Sequence, residues 1–435
     1  MASDTQPPAT EKAKPASIWR NKDFVRLWAG YTTSAFGGQV TVVAFPLVAV
    51  VLLGAGEAEV GILGFVGKAP LLLFLFAGYW ADRFRKRPTM IATDLARSVL
   101  LLVIPLLYLA DVLSLFWLGV ISFLLVTCFV FFEIANLSHF PFLVGREHIG
   151  PGNGHLQLSS SITQVVGRSF GGFLVGVFSA ALVLIVNVVT YVLSAIAIAM
   201  IRKPEPVPQH EGGKPPKVLP SIAEGLKWAL RHPLVRPTLI ASLFYMFFYS
   251  GIEALLALWL IKELALPVYW FGIIMAIGGP GAILGALISV PILKRLGAGP
   301  GLFWASVVGN LSLFLVALAT GPTWLKVTMV GATIFLLSLS GQVSMVNANT
   351  LRMTVTPLRL QGRVMASQRA MAFAAAPVGA LLAGLIAAIP SIGMRPVMIV
   401  CAAGTIIPLI IFWFSPLPRT KELVAPDEEE PSRAS

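Results

Sequence analysis

Four ionisable side chains lie inside long apolar segments of this sequence: Lys68, Glu133, Arg168 and Glu253. A charge deep in a bilayer costs about 2.5–3.5 kcal/mol on insertion scales, so each is a candidate for binding protons, ions or substrate. At a rise of about 1.5 Å per residue, the four lie roughly 15–25 Å from one end of their segments. The first three have similar depths, and we expect them to meet one another.

The segments that carry these residues have the composition of membrane-spanning helices. Of the 435 residues, 57% are hydrophobic and 12% are charged, and the mean hydropathy is +0.83. A soluble protein has about 25% charged residues, and a membrane span needs about 20 apolar residues. We therefore predict twelve spans, at residues 24–53, 57–81, 88–110, 114–143, 153–178, 180–201, 236–262, 267–293, 300–320, 323–349, 364–389 and 395–414.

The basic residues are distributed unevenly between the two sides of these spans. Of the 32 Lys and Arg residues, 25 fall on the side of the termini and 3 in the loops of the other side. Because Lys and Arg accumulate in cytoplasmic loops, both termini are predicted to be cytoplasmic. Topology thus accounts for the net charge of +12 without nucleic-acid binding. Cys128 and Cys401 lie in apolar spans and suggest neither a disulfide framework nor a metal site.

The sequence divides into two halves of six predicted spans each. We expect a disordered N-terminal tail at 1–17 without a cleavable signal, a first bundle at 18–201, a cytoplasmic linker with a short amphipathic helix at 202–235, a second bundle at 236–416 and an acidic disordered tail at 417–435. Glycine-rich stretches occur at similar positions in the fifth and eleventh spans. This repetition suggests duplicated halves, which are common in secondary transporters.

Three stretches carry a family resemblance. Residues 78–87, GYWADRFRKR, resemble the signature loop of the major facilitator superfamily, in which a Gly is followed by an Asp and a basic cluster. Residues 94–97, DLAR, and 354–365, TVTPLRLQGRVM, are similar to the drug:proton antiporter branch that includes macrolide and enterobactin (siderophore) exporters. The chain departs from that branch at Arg168, where the exporters usually have Pro.

The resemblance implies an all-α membrane protein with twelve transmembrane helices in two pseudo-symmetric six-helix bundles, and spans 1, 4, 7 and 10 around a central cavity. Glu133 and Glu253 would then be cavity carboxylates, and either could carry a coupling proton. We favour Glu133, with Lys68 or Arg168 as its exchanging partner. The alternative is a permanent salt bridge that only holds helices together. Further cavity candidates, which could equally be packing residues, are Gln39, Tyr245, Tyr249, Gln342 and Asn347.

The resemblance also assigns two structural sets of residues. An interdomain latch at the cytoplasmic face would stabilise one conformation, and this gate motif consists of Gly78, Asp82, Arg83, Arg85, Arg87, Asp94 and Arg97. The alternative is topology charge alone, although that rule does not account for the acids. Close helix packing is expected at the glycines of the fifth span, which are Gly167, Gly171, Gly172 and Gly176.

These features favour a proton-driven exporter of a small amphipathic organic compound, such as a drug, macrolide or siderophore, in the bacterial inner membrane. Lys68 and Arg168 favour some anionic character in the substrate. A facilitator or importer, a lipid or lysophospholipid flippase and a sensor that transports nothing stay open, because a fold fixes neither direction nor cargo. The sequence has no catalytic motif, so we expect no enzyme, no cofactor and no metal. The expected partners are the substrate and the lipid bilayer, and the expected state is a monomer.

Overall fold

The long apolar runs fold as helices, because a helix satisfies its own backbone hydrogen bonds where no water is available. The computed structural model describes residues 17–76, 84–145, 148–178, 180–205 and 218–423, whose regular structure is helical throughout. The long helical segments among them, numbered in chain order, are α1 Lys22–Leu47, α2 Glu57–Lys68, α3 Lys86–Leu109, α4 Leu115–Val144, α5 Ile149–Val177, α6 Ala180–Ala199, α7 Val235–Leu258, α8 Val268–Leu296, α9 Ala298–Ala317, α10 Thr323–Val355, α11 Leu358–Ala387 and the two-part α12, Met394–Gly404 and Ile407–Trp413.

These helices confirm the predicted all-α membrane architecture. Within the described residues, nine helices are both long and apolar enough to cross a membrane. The exact number of twelve spans stays a prediction. Most of the predicted tails and part of the linker, at residues 1–16, 206–217 and 424–435, lie outside the described residues.

The first helix of each half ends in the same unusual way. A five-residue π turn, Val48–Leu52, extends α1, and another, Trp259–Glu263, extends α7. The two turns begin 211 residues apart. π turns are rare and usually mark functional positions. Their occurrence at equivalent places supports the internal duplication.

The two ends of the molecule differ in how the halves meet. Both described chain ends, at Ile18 and Leu417, pack on one face of the bundle, which we call the termini face; the opposite face is the far face. At the far face one continuous buried cluster, which includes Leu47 and Trp259, joins the two halves. At the termini face the described residues form two separate clusters, one in each half. The halves are therefore closed against each other at the far face.

Two pairs of glycines make this closure tight. A Cβ on Gly61 of α2 would lie 2.7 Å from the Cα of Gly384 in α11. On the other side of the interface, a Cβ on Gly172 of α5 would overlap the carbonyl group of Gly272 in α8. Gly61 and Gly272 are 211 residues apart, and Gly172 and Gly384 are 212 apart, so the two contacts are equivalent under the duplication. Lys262 adds a hydrogen bond of 3.0 Å to the carbonyl of Ala55 across the same interface.

An amphipathic helix, Val218–Arg231, follows the linker and docks on the second half. Its Gly225 lies directly against the backbone of Arg363 at the start of α11, and Ala229 is fully buried. Glu224 forms a salt bridge with the Arg363 guanidinium. This linker helix therefore lies against protein along one face and does not rest on lipid alone.

Candidate functional site

A salt bridge joins the two halves between α2 and α7. Lys68 Nζ donates to Glu253 Oε2 at 2.7 Å. The lysine side chain is 23% exposed and the glutamate 40%, so open space adjoins the pair. Lys68, one of the two predicted exchanging partners of Glu133, is thus paired in this structure with a carboxylate of the other half.

Local sequence places this pair where α2 changes its winding. Pro70 has no backbone N–H, so it cannot supply the helical bond back to the carbonyl four residues earlier. The chain accordingly continues from Lys68 as a tighter 3-10 helix, Ala69–Phe76. One turn before the lysine, a Cβ on Gly64 would lie 3.4 Å from the Cβ of Ala254. Small residues thus bring α2 and α7 together beside the pair.

Arg168 of α5 forms its hydrogen bond within its own half. Its Nε donates to Gln39 Oε1 of α1 at 2.8 Å. The adjacent Gly167 has no room for a side chain, because a Cβ there would lie 2.8 Å from the Cβ of Gln39. The charge of Arg168 also acts on Glu253 and Tyr249 of the second half. The arginine that departs from the family pattern therefore adds positive potential around Glu253.

The other glycines of α5 repeat this close packing. A Cβ on Gly171 would lie 3.0 Å from the Cα of Val40 in α1. Gly172 turns to the second half, where it forms the contact with Gly272 described above. The surroundings of Gly176 lie outside the described residues.

Glu133 of α4 lies apart from Lys68 and Arg168. Within the described residues it forms neither a salt bridge nor a hydrogen bond, and the charges that act on it are those of Arg97 and Arg369. Lys68 is 11 residues from the far end of α2, whereas Glu133 is 11 residues from the termini end of α4. No described contact joins Glu133 to Lys68 or Arg168, so the expected meeting of the three is not seen in this structure.

Two tyrosines lead along α7 to the carboxylate of Glu253. Tyr245 and Tyr249 stack with ring centroids 5.2 Å apart and planes 8° from parallel. Residues four apart lie on the same face of a helix. Tyr245, Tyr249 and Glu253 therefore form one ladder, with two aromatic faces on the termini side and a charge at its far end.

The two polar candidates of α10 are both buried. Asn347 donates to the carbonyl of Val343 at 2.8 Å, and its Oδ1 lies 2.6 Å from where a Cβ on Gly301 would sit. It therefore faces α9 within the second half, which corrects its assignment to a cavity between the halves. Gln342 is 8% exposed, and its role in a cavity stays a prediction.

The gate motif only partly falls within the described residues, and Gly78, Asp82 and Arg83 lie outside them. Arg85 is exposed immediately before α3. Arg87 donates from Nη2 to the carbonyl of Ala199 at 2.5 Å, within the first half.

Asp94 and Arg97 are buried in the core of the first half. Asp94 forms a salt bridge with Arg97 and accepts hydrogen bonds from Ser34 of α1 at 3.1 Å and Ser194 of α6 at 2.5 Å. The Arg97 guanidinium also stacks on Tyr191, 4.3 Å from its ring centroid. The predicted interdomain role is thus wrong for Asp94 and Arg97, because both are buried and their partners belong to the same half. For Arg87, which lies at the open termini face, it stays a prediction.

Replacing Asp94 with Asn should destabilise the protein by about 1–3 kcal/mol, because the amide leaves the buried Arg97 guanidinium without its counter-charge. The measurement is thermal unfolding of the purified protein in detergent. The control is Asp111→Asn, since Asp111 is exposed, has a φ of 58° and can be replaced by Asn at such an angle. Equal unfolding temperatures for the two variants would contradict the anchoring role.

Sequence reasoning missed two cations of the second half. Arg352 was assigned to a cytoplasmic loop, but α10 continues to Val355 and buries it to 9% exposure. Arg369 was placed in a span but not named as a candidate, and it acts on Glu133 across the two halves. A helical pattern that continues past residue 349 was the available signal for Arg352.

The fold and the charge pair between its halves define a multi-pass membrane transporter. The sequence matches the profile of the Major Facilitator Superfamily over residues 27–368, and the chain belongs to that family. It is 24% identical over 409 residues to the "Multidrug efflux pump Tap" of Mycolicibacterium fortuitum, covering 91% of this chain and 96% of that protein. The Mycobacterium tuberculosis protein of the same name is 24% identical over 379 residues, covering 84% and 87%.

Solved structures of other transporters share the fold. The nucleoside transporter NupG superposes with a TM-score of 0.67 at 12% identity, covering 92% of this chain and 98% of that one. A bacterial homologue of the iron transporter ferroportin, in an inward-facing state, superposes with a TM-score of 0.68 at 17% identity, covering 92% and 99%. The predicted major facilitator fold is therefore confirmed.

Proposed function

We propose that this protein is a proton-coupled exporter of small amphipathic organic compounds, and that Glu253 is its proton carrier. The salt bridge of 2.7 Å between Lys68 and Glu253 is the observation that carries the proposal. It connects the two halves, and its stability depends on whether Glu253 is ionised. Glu253 thus replaces Glu133, which has no cation paired with it in the described residues, as the favoured carrier.

A proton and Lys68 compete for the same carboxylate. When Glu253 is ionised it holds Lys68 and supports closure of the far face. Protonation removes the charge, releases Lys68 and weakens that closure. A bound substrate that engages either partner has the same effect, since each ion can satisfy only a limited set of contacts at once. Proton and substrate then exclude each other at this pair, which is one condition for antiport.

The arrangement suits loading from the termini side. The excess of Lys and Arg in the segments on the side of the termini favours a cytoplasmic location for that side. A compound that enters there meets Tyr245 and Tyr249 before the ion pair, and aromatic faces bind flat apolar groups. Lys68 and Arg168 together exceed the single charge of Glu253, so neutral and anionic amphiphiles fit better than cations. The name "Multidrug efflux pump Tap" of the relatives supports drug export, without bearing on the charge of the compound.

The experiment is a panel assay in a bacterial host that lacks its own efflux pumps. Fluorescent amphiphiles of anionic, neutral and cationic type are loaded into cells with and without the protein, and with and without an uncoupler. We expect the protein to lower accumulation of one or more probes several-fold, and the uncoupler to abolish the difference. Higher accumulation in energised cells would indicate an importer, and uncoupler-insensitive efflux would contradict proton coupling.

A further inference from the structure

A pocket separate from the Lys68–Glu253 site lies entirely within the second half. It has a volume of about 280 Å³ and lies between α7, α9, α10 and α12, with Gln368 contributed by α11. This is close to the lower end of the range for small-molecule sites, about 300–1,000 Å³. None of its lining residues comes from the first half. The pocket is therefore distinct from the site at Lys68 and Glu253, which needs both halves.

Arg352 is the only charged residue that lines this pocket among those described. It is 9% exposed and forms no salt bridge with any described residue. Its guanidinium donates to Gln368 Oε1 and, at 2.6 Å, to Asn349 Oδ1, while its Nε has no hydrogen-bond partner. Two neutral amides thus orient the cation without neutralising it.

A basic residue near the end of a helix has an ordinary explanation, because it interacts favourably with the helix dipole and with water. Arg352 does not fit that explanation well, since it is buried and its Nε is unsatisfied. A buried charge without a counter-ion destabilises the folded protein, because its lost hydration is not compensated. The positive charge of Arg369 acts on Arg352 and adds to this cost. An anionic ligand in the pocket would supply the counter-charge that the described residues do not.

The rest of the lining describes the body of that anion. Leu302, Leu337 and Phe412 supply apolar surface, and hydroxyl groups come from Tyr245 and Ser306. The pocket thus offers a cation on the termini side and an apolar wall with scattered hydroxyls. Such a lining fits a molecule with a single anionic group and a short apolar body.

We propose that this pocket binds a small amphipathic organic anion, with its carboxylate or phosphate group on Arg352. Binding of an anion in this pocket requires no particular direction of transport and no proton coupling. Tyr245 lies at its edge and stacks on Tyr249, which places the pocket beside the ladder that leads to Glu253. The anionic group could belong to a free compound or to a lipid.

Binding is tested on the purified full-length protein in a non-ionic detergent. Thermal unfolding is followed with octanoate, 1-octanol and octylamine, which share an apolar chain and differ in charge. We expect octanoate alone to raise the unfolding temperature. The shift should disappear in Arg352→Gln and persist in Arg295→Gln, which removes an exposed arginine at the end of α8.

A second variant tests the pocket without changing any charge. Gly341 lines the pocket, and a Cβ built on it meets no atom within 4 Å. Gly341→Leu should therefore fill the space, and replacing a helical glycine favours folding. Gly362→Leu is the control, because Gly362 also has open space around it but does not line the pocket. We expect at least a tenfold weaker affinity for octanoate in Gly341→Leu only.

The source of the anion is distinguished in nanodiscs. Displacement of octanoate by phosphatidylglycerol, but not by phosphatidylcholine, assigns the site to a lipid headgroup. Octanoate binding that is equal in both lipids assigns it to a free anion. An octanoate shift that survives both Arg352→Gln and Gly341→Leu, or the absence of any shift in the unmodified protein, overturns the proposal. Neither result bears on proton-coupled export, which the uncoupler assay tests separately.

Discussion

Replacing Glu253 with Gln should abolish proton-coupled transport while the protein still folds and inserts. Gln has the same shape but carries no charge at any pH, so it can neither hold Lys68 as an ion nor release a proton. Breaking a fully buried pair costs about 3–5 kcal/mol. Because the Lys68 and Glu253 side chains are partly exposed, we expect loss of their interaction to cost about 1–2 kcal/mol. This corresponds to roughly a tenfold lower population of the state that is closed at the far face.

The measurement is proton flux in proteoliposomes loaded with a pH-sensitive dye, after addition of a substrate from the efflux panel. Glu263→Gln is the matched control, because Glu263 ends the π turn that extends α7 and pairs with Arg395 at 3.3 Å, but within the second half. The control should retain flux. A charge exchange, Lys68→Glu with Glu253→Lys, keeps an ion pair between the halves and should therefore restore closure. Coupled flux in Glu253→Gln would rule out this residue as the carrier.

Most of the fold follows from the sequence because lipid leaves the chain few choices. Long apolar runs must form helices, and the boundaries of α3 and α4 differ from the prediction by one or two residues. The end of α10 was harder to predict, because its last turn is polar and still helical. Arg352 was consequently assigned to a loop, and its burial only emerges once α9, α10 and α12 pack together.

The site is less predictable because pairing depends on geometry between helices. The sequence identified Lys68 and Glu253 as deep charges, since each interrupts an apolar run. It could not pair them, because their 185-residue separation and the contact between halves leave no periodic signal. For Asp94 the sequence suggested a role that the packing of the helices does not support. Its place beside a loop of charges suggested a latch, whereas packing against Ser34 and Ser194 makes it a core anchor.

The glycine pairs of the far face should determine whether that face can close. Replacing Gly61 with Val adds a Cβ that would lie 2.7 Å from the Cα of Gly384, a contact that folded proteins essentially never tolerate. The backbones of α2 and α11 must then separate, and the state closed at the far face becomes inaccessible. Because Gly172 and Gly272 form the equivalent contact, Gly172→Val should have the same effect.

Opening of the far face is measured by the distance between spin labels on cysteines that replace Val112 and Trp324. These exposed residues lie in different halves at the far face. Both variants should lengthen the distance and abolish transport, and Gly61→Ala should produce a smaller change of the same sign. Gly119→Val is the control, since a Cβ on Gly119 meets only Leu63 at 3.7 Å. If Gly61→Val and Gly119→Val give the same distances, closure of the far face does not depend on the backbone contact between α2 and α11.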